Sequence, residues 1–206
     1  MKKIIVLLAL AALVMTGCQN KDTKENVQNE NDKQSETSQT QTQDKVDKVD
    51  KAEEKDQETP GQKNPAAGLR IDSMSVKTYR GATLTESVFK DHKLTVLNLW
   101  ADWCGPCVEE MPEFQKLYSK LKGENIQFLG LALDSDTNMV KNIQKKLKIT
   151  YPLLKNNKVF DEITSKFDYI PVTLFINSEG QVLKTYIPGG TDEAGLEAAI
   201  KKALNE

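Results

Sequence analysis

Histidine is almost missing from this 206-residue chain and cysteine is scarce: there is one of the former, His92, and three of the latter, Cys18, Cys104 and Cys107. Tetrahedral zinc takes four ligands, so a metal cluster within the chain would have to recruit a carboxylate or Cys18, and no metal site is expected. Three cysteines are also too few for a fold stapled by disulfides. The N-terminal apolar run from Ile4 to Met15 has twelve residues, short of the ~20 that a membrane-spanning helix needs. Neither sign of charge dominates, since 28 Lys and Arg face 30 Asp and Glu for a net −2; nothing in that balance points to nucleic acid. Aromatic residues are only 6% of the chain, and none falls between Gln19 and Gly68. With hardly any aliphatic residues either, that stretch cannot bury a core and is expected to be disordered.

What is present divides the chain in three. Met1-Lys2-Lys3 and the apolar run read as a signal peptide, residues 1–17. Met15-Thr16-Gly17-Cys18 resembles the lipobox of bacterial lipoproteins, with Met15 where leucine is usual; the resemblance implies that Cys18 is lipidated and starts the mature chain. A cleaved secretory peptide with a free Cys18 is the alternative. Two acyl chains are what stable anchoring needs, so residues 18–68 read as a lipidated cysteine and polar tether with an r.m.s. reach of ~40 Å. Residues 69–206 are enough for one domain. The expected location is the outer side of a cell membrane, and the lipobox and linker would suit a Gram-positive envelope.

Within the domain, Ser75–Tyr79, the turn Arg80-Gly81 and Ala82–Leu84 read as a hairpin, followed by a short helix to Lys90. His92 reads as a solvated residue ahead of a strand, Leu94–Trp100. Val108 to Lys122 is a helix by its apolar spacing, and it contains Pro112, which removes a hydrogen bond and favours a kink. Ile126–Leu133 is a second apolar strand, Val140, Ile143 and Leu147 mark a helix, and Tyr151–Leu154 another extended stretch. This alternation implies parallel pairing. Phe160, Ile163 and Phe167 mark a short turn or helix, then Val172–Ile176, Asn177–Gly180 and Gln181–Ile187 an antiparallel hairpin. A last helix begins at Thr191-Asp192-Glu193, with Leu196, Ile200 and Leu204 expected inward.

The chemistry lies at Trp103-Cys104-Gly105-Pro106-Cys107, where two thiols stand at a strand-to-helix turn. Unpaired N–H groups and the positive end of a helix dipole favour thiolate over thiol, so Cys104, at the cap, is the expected nucleophile. Cys107, one turn in, is expected to be buried and to attack second. Gly105 lets the turn close, and Pro106 stands where a missing N–H costs little. A Cys-x-x-Cys pair can also be half of a zinc knuckle, but the partners for it are lacking. An export signal with this one remaining pair marks cysteines that react.

The motif, the proline-containing helix after it, and Ile170-Pro171-Val172-Thr173 ahead of a hairpin together resemble the thioredoxin superfamily across Leu69–Glu206. Asn98-Leu-Trp-Ala before the motif, Glu110-Met-Pro112 after it, and the extra strand and helix from Ile126 to Leu154 resemble its membrane-anchored TlpA/ResA-like branch. The resemblance implies an α/β thioredoxin-like fold: a central mixed sheet flanked by helices, an N-terminal hairpin and a strand-helix insertion. It implies a cis Pro171 facing the dithiol, Ile170 offering its backbone to a client segment, and a rim of Trp103, Pro106, Ile170 and Pro188-Gly189 around an exposed sulfur. Where many thioredoxins bury an aspartate, this chain has Asn98, which cannot titrate. Glu110, three residues past Cys107, matches the glutamate of ResA-like proteins and could relay the proton; a solvated glutamate like Glu109 is the plain alternative.

The resemblance further implies a protein-disulfide reductase with no cofactor beyond the Cys104–Cys107 pair, working as a monomer. Its partners would be disulfide-containing exported proteins, such as apocytochrome c or an exported methionine sulfoxide reductase, and a membrane thiol carrier of the CcdA or DsbD type. An oxidant or isomerase using the same residues, a thiol peroxidase, and a binding lipoprotein without chemistry are the rival readings.

Overall fold

The computed structural model describes residues 63–206. The expected signal peptide, Cys18 and most of the expected tether lie outside the described residues. Among these residues no helix is long and apolar enough to cross a membrane.

The centre is strand β3, Leu94–Trp100, whose seven residues are all buried. An unbroken apolar strand is what a sheet covered on both faces requires. Its side chains alternate between two cores. Leu94, Val96 and Trp100 join a cluster that includes Met111, Phe114, Val140, Tyr151, Leu196 and Ile200. Leu97 and Leu99 join a cluster with Met74, Val76, Phe89, Phe160 and Ile163. β3 pairs in parallel with β4, Ile126–Ala132, and β4 with β5, Leu153–Lys155. On the other side β3 pairs antiparallel with β6, Val172–Asn177, and β6 with β7, Val182–Pro188. The strand order is β5-β4-β3-β6-β7, a mixed sheet. A separate antiparallel pair, β1 (Ser75–Lys77) and β2 (Thr83–Thr85), precedes it and reaches β5 through a Thr78–Leu154 bridge.

The helices are α1 (Ser87–Lys90), α2 (Gly105–Lys120), α3 (Thr137–Lys146), α4 (Asp161–Thr164) and α5 (Glu193–Ala203). Pro112 lies inside α2, and Gly123 takes φ +99° shortly after that helix ends. α3 begins at an Asp136 cap whose carboxylate accepts from the N–H groups of Asn138 and Met139, satisfying two of the orphan donors at a helix start.

Two expectations are corrected. The folded part starts before Leu69: Ala66 is fully buried, Gly68 N–H donates to Val182 O at 2.9 Å, and Asn64 Nδ2 to Leu183 O at 2.8 Å. Asn64–Gly68 is held by β7's backbone, which a polar composition does not reveal. Leu204, expected inward, is 40% exposed while Ala203 is buried, because α5 ends at Ala203 and Leu204 is its cap.

Candidate active site

β3 ends at Trp100, and four residues later Cys104 caps α2 in an extended conformation, φ −85° and ψ 97°. Its sulfur accepts from the N–H of Cys107 at 3.3 Å. Pro106 occupies the first turn of α2, where no intrahelical partner awaits its missing N–H. Cys104 and Cys107 are joined as a disulfide with Cα atoms 5.3 Å apart. The two are not equivalent: Cys104 keeps 7% of its surface exposed and Cys107 none. Only the first has accessible surface, and at that value Cys104 is largely buried rather than the exposed sulfur that the resemblance implied, while Gly105 and Pro106 beside it are exposed.

Trp103, the residue before Cys104, is 67% exposed. Its indole N–H donates to Asp134 O at 3.2 Å. The same β4–α3 loop is tied to the motif twice more, by Asp102 N–H to Ser135 Oγ at 3.1 Å and by Asp136 N–H to Asp102 Oδ2 at 3.2 Å. These loop residues carry no motif of their own, and sequence reasoning missed them. The adjacency of Asp102 to the motif was the available signal.

Beneath the dithiol lies Glu110, on the Cys107 face of α2 by its three-residue spacing and only 5% exposed. One oxygen accepts from Asn98 Nδ2 at 2.9 Å and the other from the backbone N–H of Thr191 at 3.1 Å. Asn98 Nδ2 also donates to Thr173 Oγ1 at 3.2 Å. Burial pushes the Glu110 carboxyl up to about 7, against the hydrogen bonds from Asn98 and Thr191, which pull it down. A group poised there can take a proton from a thiol and return it near neutral pH. Thr173 stands in the quoted Ile-Pro-Val-Thr segment, but a backbone donor such as Thr191 N–H leaves no mark on the sequence.

The Ile170–Pro171 peptide is cis. Pro171 O accepts from Gly189 N–H at 3.0 Å, which joins the start of β6 to the loop after β7. That loop closes on Glu110: a Cβ at Gly190 would stand 3.8 Å from Glu110 Oε2 and 4.0 Å from Pro171 Cγ. The structure therefore brings Cys104, Cys107, Glu110, Asn98 and Pro171 to one end of the sheet. It leaves His92 at the opposite end of β3, where Nδ1 lies 2.8 Å from Val88 O.

The AhpC/TSA family pattern matches residues 67–185, more than half of the chain. The chain belongs to the AhpC/TSA thioredoxin-like family. Within it, the chain is similar to the thiol-disulfide oxidoreductase ResA of Bacillus thuringiensis subsp. konkukian, 32% identical over 137 residues, covering 66% of this chain and 77% of that protein. ResA of Bacillus cereus strain ZK is 32% identical over 108 residues, 52% of this chain, and the match spans 61% of that protein. The fold is similar to the crystal structure of a thioredoxin-family thiol:disulfide interchange protein from Chlorobium tepidum, with TM-score 0.59 and 26% identity over 68% of this chain and 98% of that one. The AhpC/TSA thioredoxin-like assignment and the mixed sheet agree with the fold expected from the motif.

Proposed function

We propose that this thiol-disulfide oxidoreductase acts as a reductant of disulfides in exported proteins, tethered to the outer side of the membrane through Cys18. The carrying observation is the Cys104–Cys107 pair at the cap of α2, with only Cys104 accessible and Glu110 buried on the face of Cys107, held by a residue, Asn98, that cannot titrate. In the reduced protein the Cys104 thiolate attacks one sulfur of the client disulfide, forming a mixed disulfide and expelling the other client sulfur as thiolate. Cys107 gives its proton to Glu110, attacks the Cys104 sulfur and releases the second client thiolate. The client gains two electrons, and Cys104–Cys107 closes as the disulfide present in the structure. Glu110 then returns its proton to a departing thiolate or to water.

Turnover requires two electrons from outside, which we assign to a membrane thiol carrier of the CcdA or DsbD type. The clients we assign are the Cys-x-x-Cys-His site of an apocytochrome c or an exported methionine sulfoxide reductase; a genome carrying one of these and a thiol carrier would support the assignment. The lipobox-like Met15–Cys18 stretch supports the anchor.

The test is the equilibrium redox potential of the protein against dithiothreitol, read by thiol trapping of Cys104 and Cys107. A value near that of thioredoxin, about −270 mV, is expected. A value near that of the oxidant DsbA, about −120 mV, would reverse the direction.

A further inference from the structure

We propose that Phe167, Tyr169 and Tyr186 form an aromatic subsite that takes a large apolar side chain of the client, within two residues of its target cysteine. The proposal rests on the assignment of clients as disulfide-bearing polypeptides.

Tyr169 precedes the cis Ile170–Pro171 bond by one residue and is 40% exposed. Single exposed aromatics are ordinary, but this one stands on a built support. Its ring meets Phe167 edge-on, with centroids 6.4 Å apart at 82°, and Phe167 in turn tilts against Tyr186 of β7 at 6.2 Å and 39°. Phe167 and Tyr186 are half-buried against the core cluster that holds Val172 and Leu174. The three rings run from the sheet out to solvent, and Tyr169 is the most exposed of them. A ring oriented by the ring beneath it loses little freedom when a partner lands on it.

Position selects the occupant. Ile170 packs against the core cluster that holds Cys104 and Cys107, and Pro171 and Glu110 both flank Gly190, so a client segment whose cysteine reaches Cys104 is assigned a path over this backbone. An extended segment advances about 3.3 Å per residue, with alternate side chains on one face. On this path Tyr169 is the first exposed ring beyond Ile170, and the side chain two places from the target cysteine is the one assigned to it. Charge does not set the preference, because the exposed neighbours Lys166 and Asp168 carry opposite signs. The offered chemistry is a π-face with apolar flanks.

The test uses the full-length reduced protein and synthetic disulfide peptides that differ only two residues from the target cysteine, on either side, where they carry Phe, Ser, Lys or Asp. Wild type is expected to favour Phe roughly fivefold in kcat/KM, mainly through KM, as about half-burial of that side chain provides. Tyr169→Ala should lose the preference while keeping kcat at saturation and the wild-type rate with hydroxyethyl disulfide, whose normal value also reports an intact domain. Tyr169→Phe should keep it. Equal rates across the wild-type series, or a preference surviving in Tyr169→Ala, overturns the subsite while hydroxyethyl disulfide is still reduced. Loss of reaction with peptides and hydroxyethyl disulfide alike would overturn the reductant reading itself. The same peptides as dithiols, offered to oxidised protein, show whether a subsite preference persists in the opposite direction.

Discussion

Glu110 has two hydrogen-bond donors and still titrates near neutrality, because the desolvation of its charged form outweighs them. Its folded pKa, about 7, lies above the 4.5 of a free glutamate. The folded protein therefore binds more protons than the unfolded chain between those values, so this group's contribution falls as pH rises through the window and is flat above it. Denaturant unfolding of the oxidised protein should show a decline on the order of 2–3 kcal/mol between pH 5 and 8 from this residue, and Glu110→Gln should abolish that slope. The same variant should leave attack by Cys104 nearly unchanged but slow its release by Cys107 roughly 100-fold, the lower range for a lost general base. Rapid acid trapping would then reveal an accumulating mixed disulfide. Asn98→Asp places a second carboxylate 2.9 Å from Glu110 in place of a donor. Like charges at that distance cannot both ionise easily, so the midpoint of the pH–rate profile should rise by about one unit or more. Asn98 was named through the resemblance to thioredoxins, and Glu110 through the resemblance to ResA-like proteins together with its three-residue spacing from Cys107. The Thr191 N–H that completes the grip was not, because every residue but proline carries the same group.

At the scale of elements, two glycines separate backbone conformation from space. Gly123, after α2, and Gly180, in the β6–β7 turn, both have positive φ, +99° and +78°. A Cβ at Gly123 meets nothing within 4 Å, whereas at Gly180 it meets Ile71 O at 2.7 Å, a backbone atom that cannot rotate away. Both alanine variants should bear the left-handed penalty of about 1 kcal/mol, and Gly180→Ala a further 1–3 kcal/mol for the clash. Urea midpoints of the two proteins measure the difference; equal losses would mean that the turn relaxes. The Asn177–Gly180 turn was readable from its residue types. Strand β3 was readable from its apolar run, and α2 from its helical spacing. β5 was placed two residues early, since Tyr151 and Pro152 look as extended as Leu153 and are buried or half-buried, but lie before the ladder. The segment Asn64–Gly68 was missed because its attachment is through backbone and one amide, and Ala66 is too small to signal a core.

For the whole molecule, the sheet is guarded at both edges. β5 is met by Thr78 and by the N–H of Tyr79, which donates to Leu153 O at 2.9 Å. β7 is met first by residues 64–70 and then by Glu206, whose carboxylate accepts from the N–H groups of Lys184 and Thr185, both at 2.8 Å. Burial raises the pKa of Glu206, but those hydrogen bonds win and hold it below the usual range. The clasp therefore persists at neutral pH and loosens only as pH falls through the acid range. Open edges invite strand pairing between copies. Pairing Glu206→Ala with Asn64→Ala should raise light scattering at high protein concentration well before it lowers the unfolding midpoint appreciably. The β7 cover also fixes how the domain bears force. Residues 65–68 form a turn against the start of β7, with Asn64 Nδ2 on Leu183 O, Gly68 N–H on Val182 O and Arg70 opposite Gln181. A pull on Lys63 falls first on the single Asn64 amide bond and reaches the backbone bonds at Gly68 and Leu69 only after that one gives way, so the joint opens stepwise from its outer end.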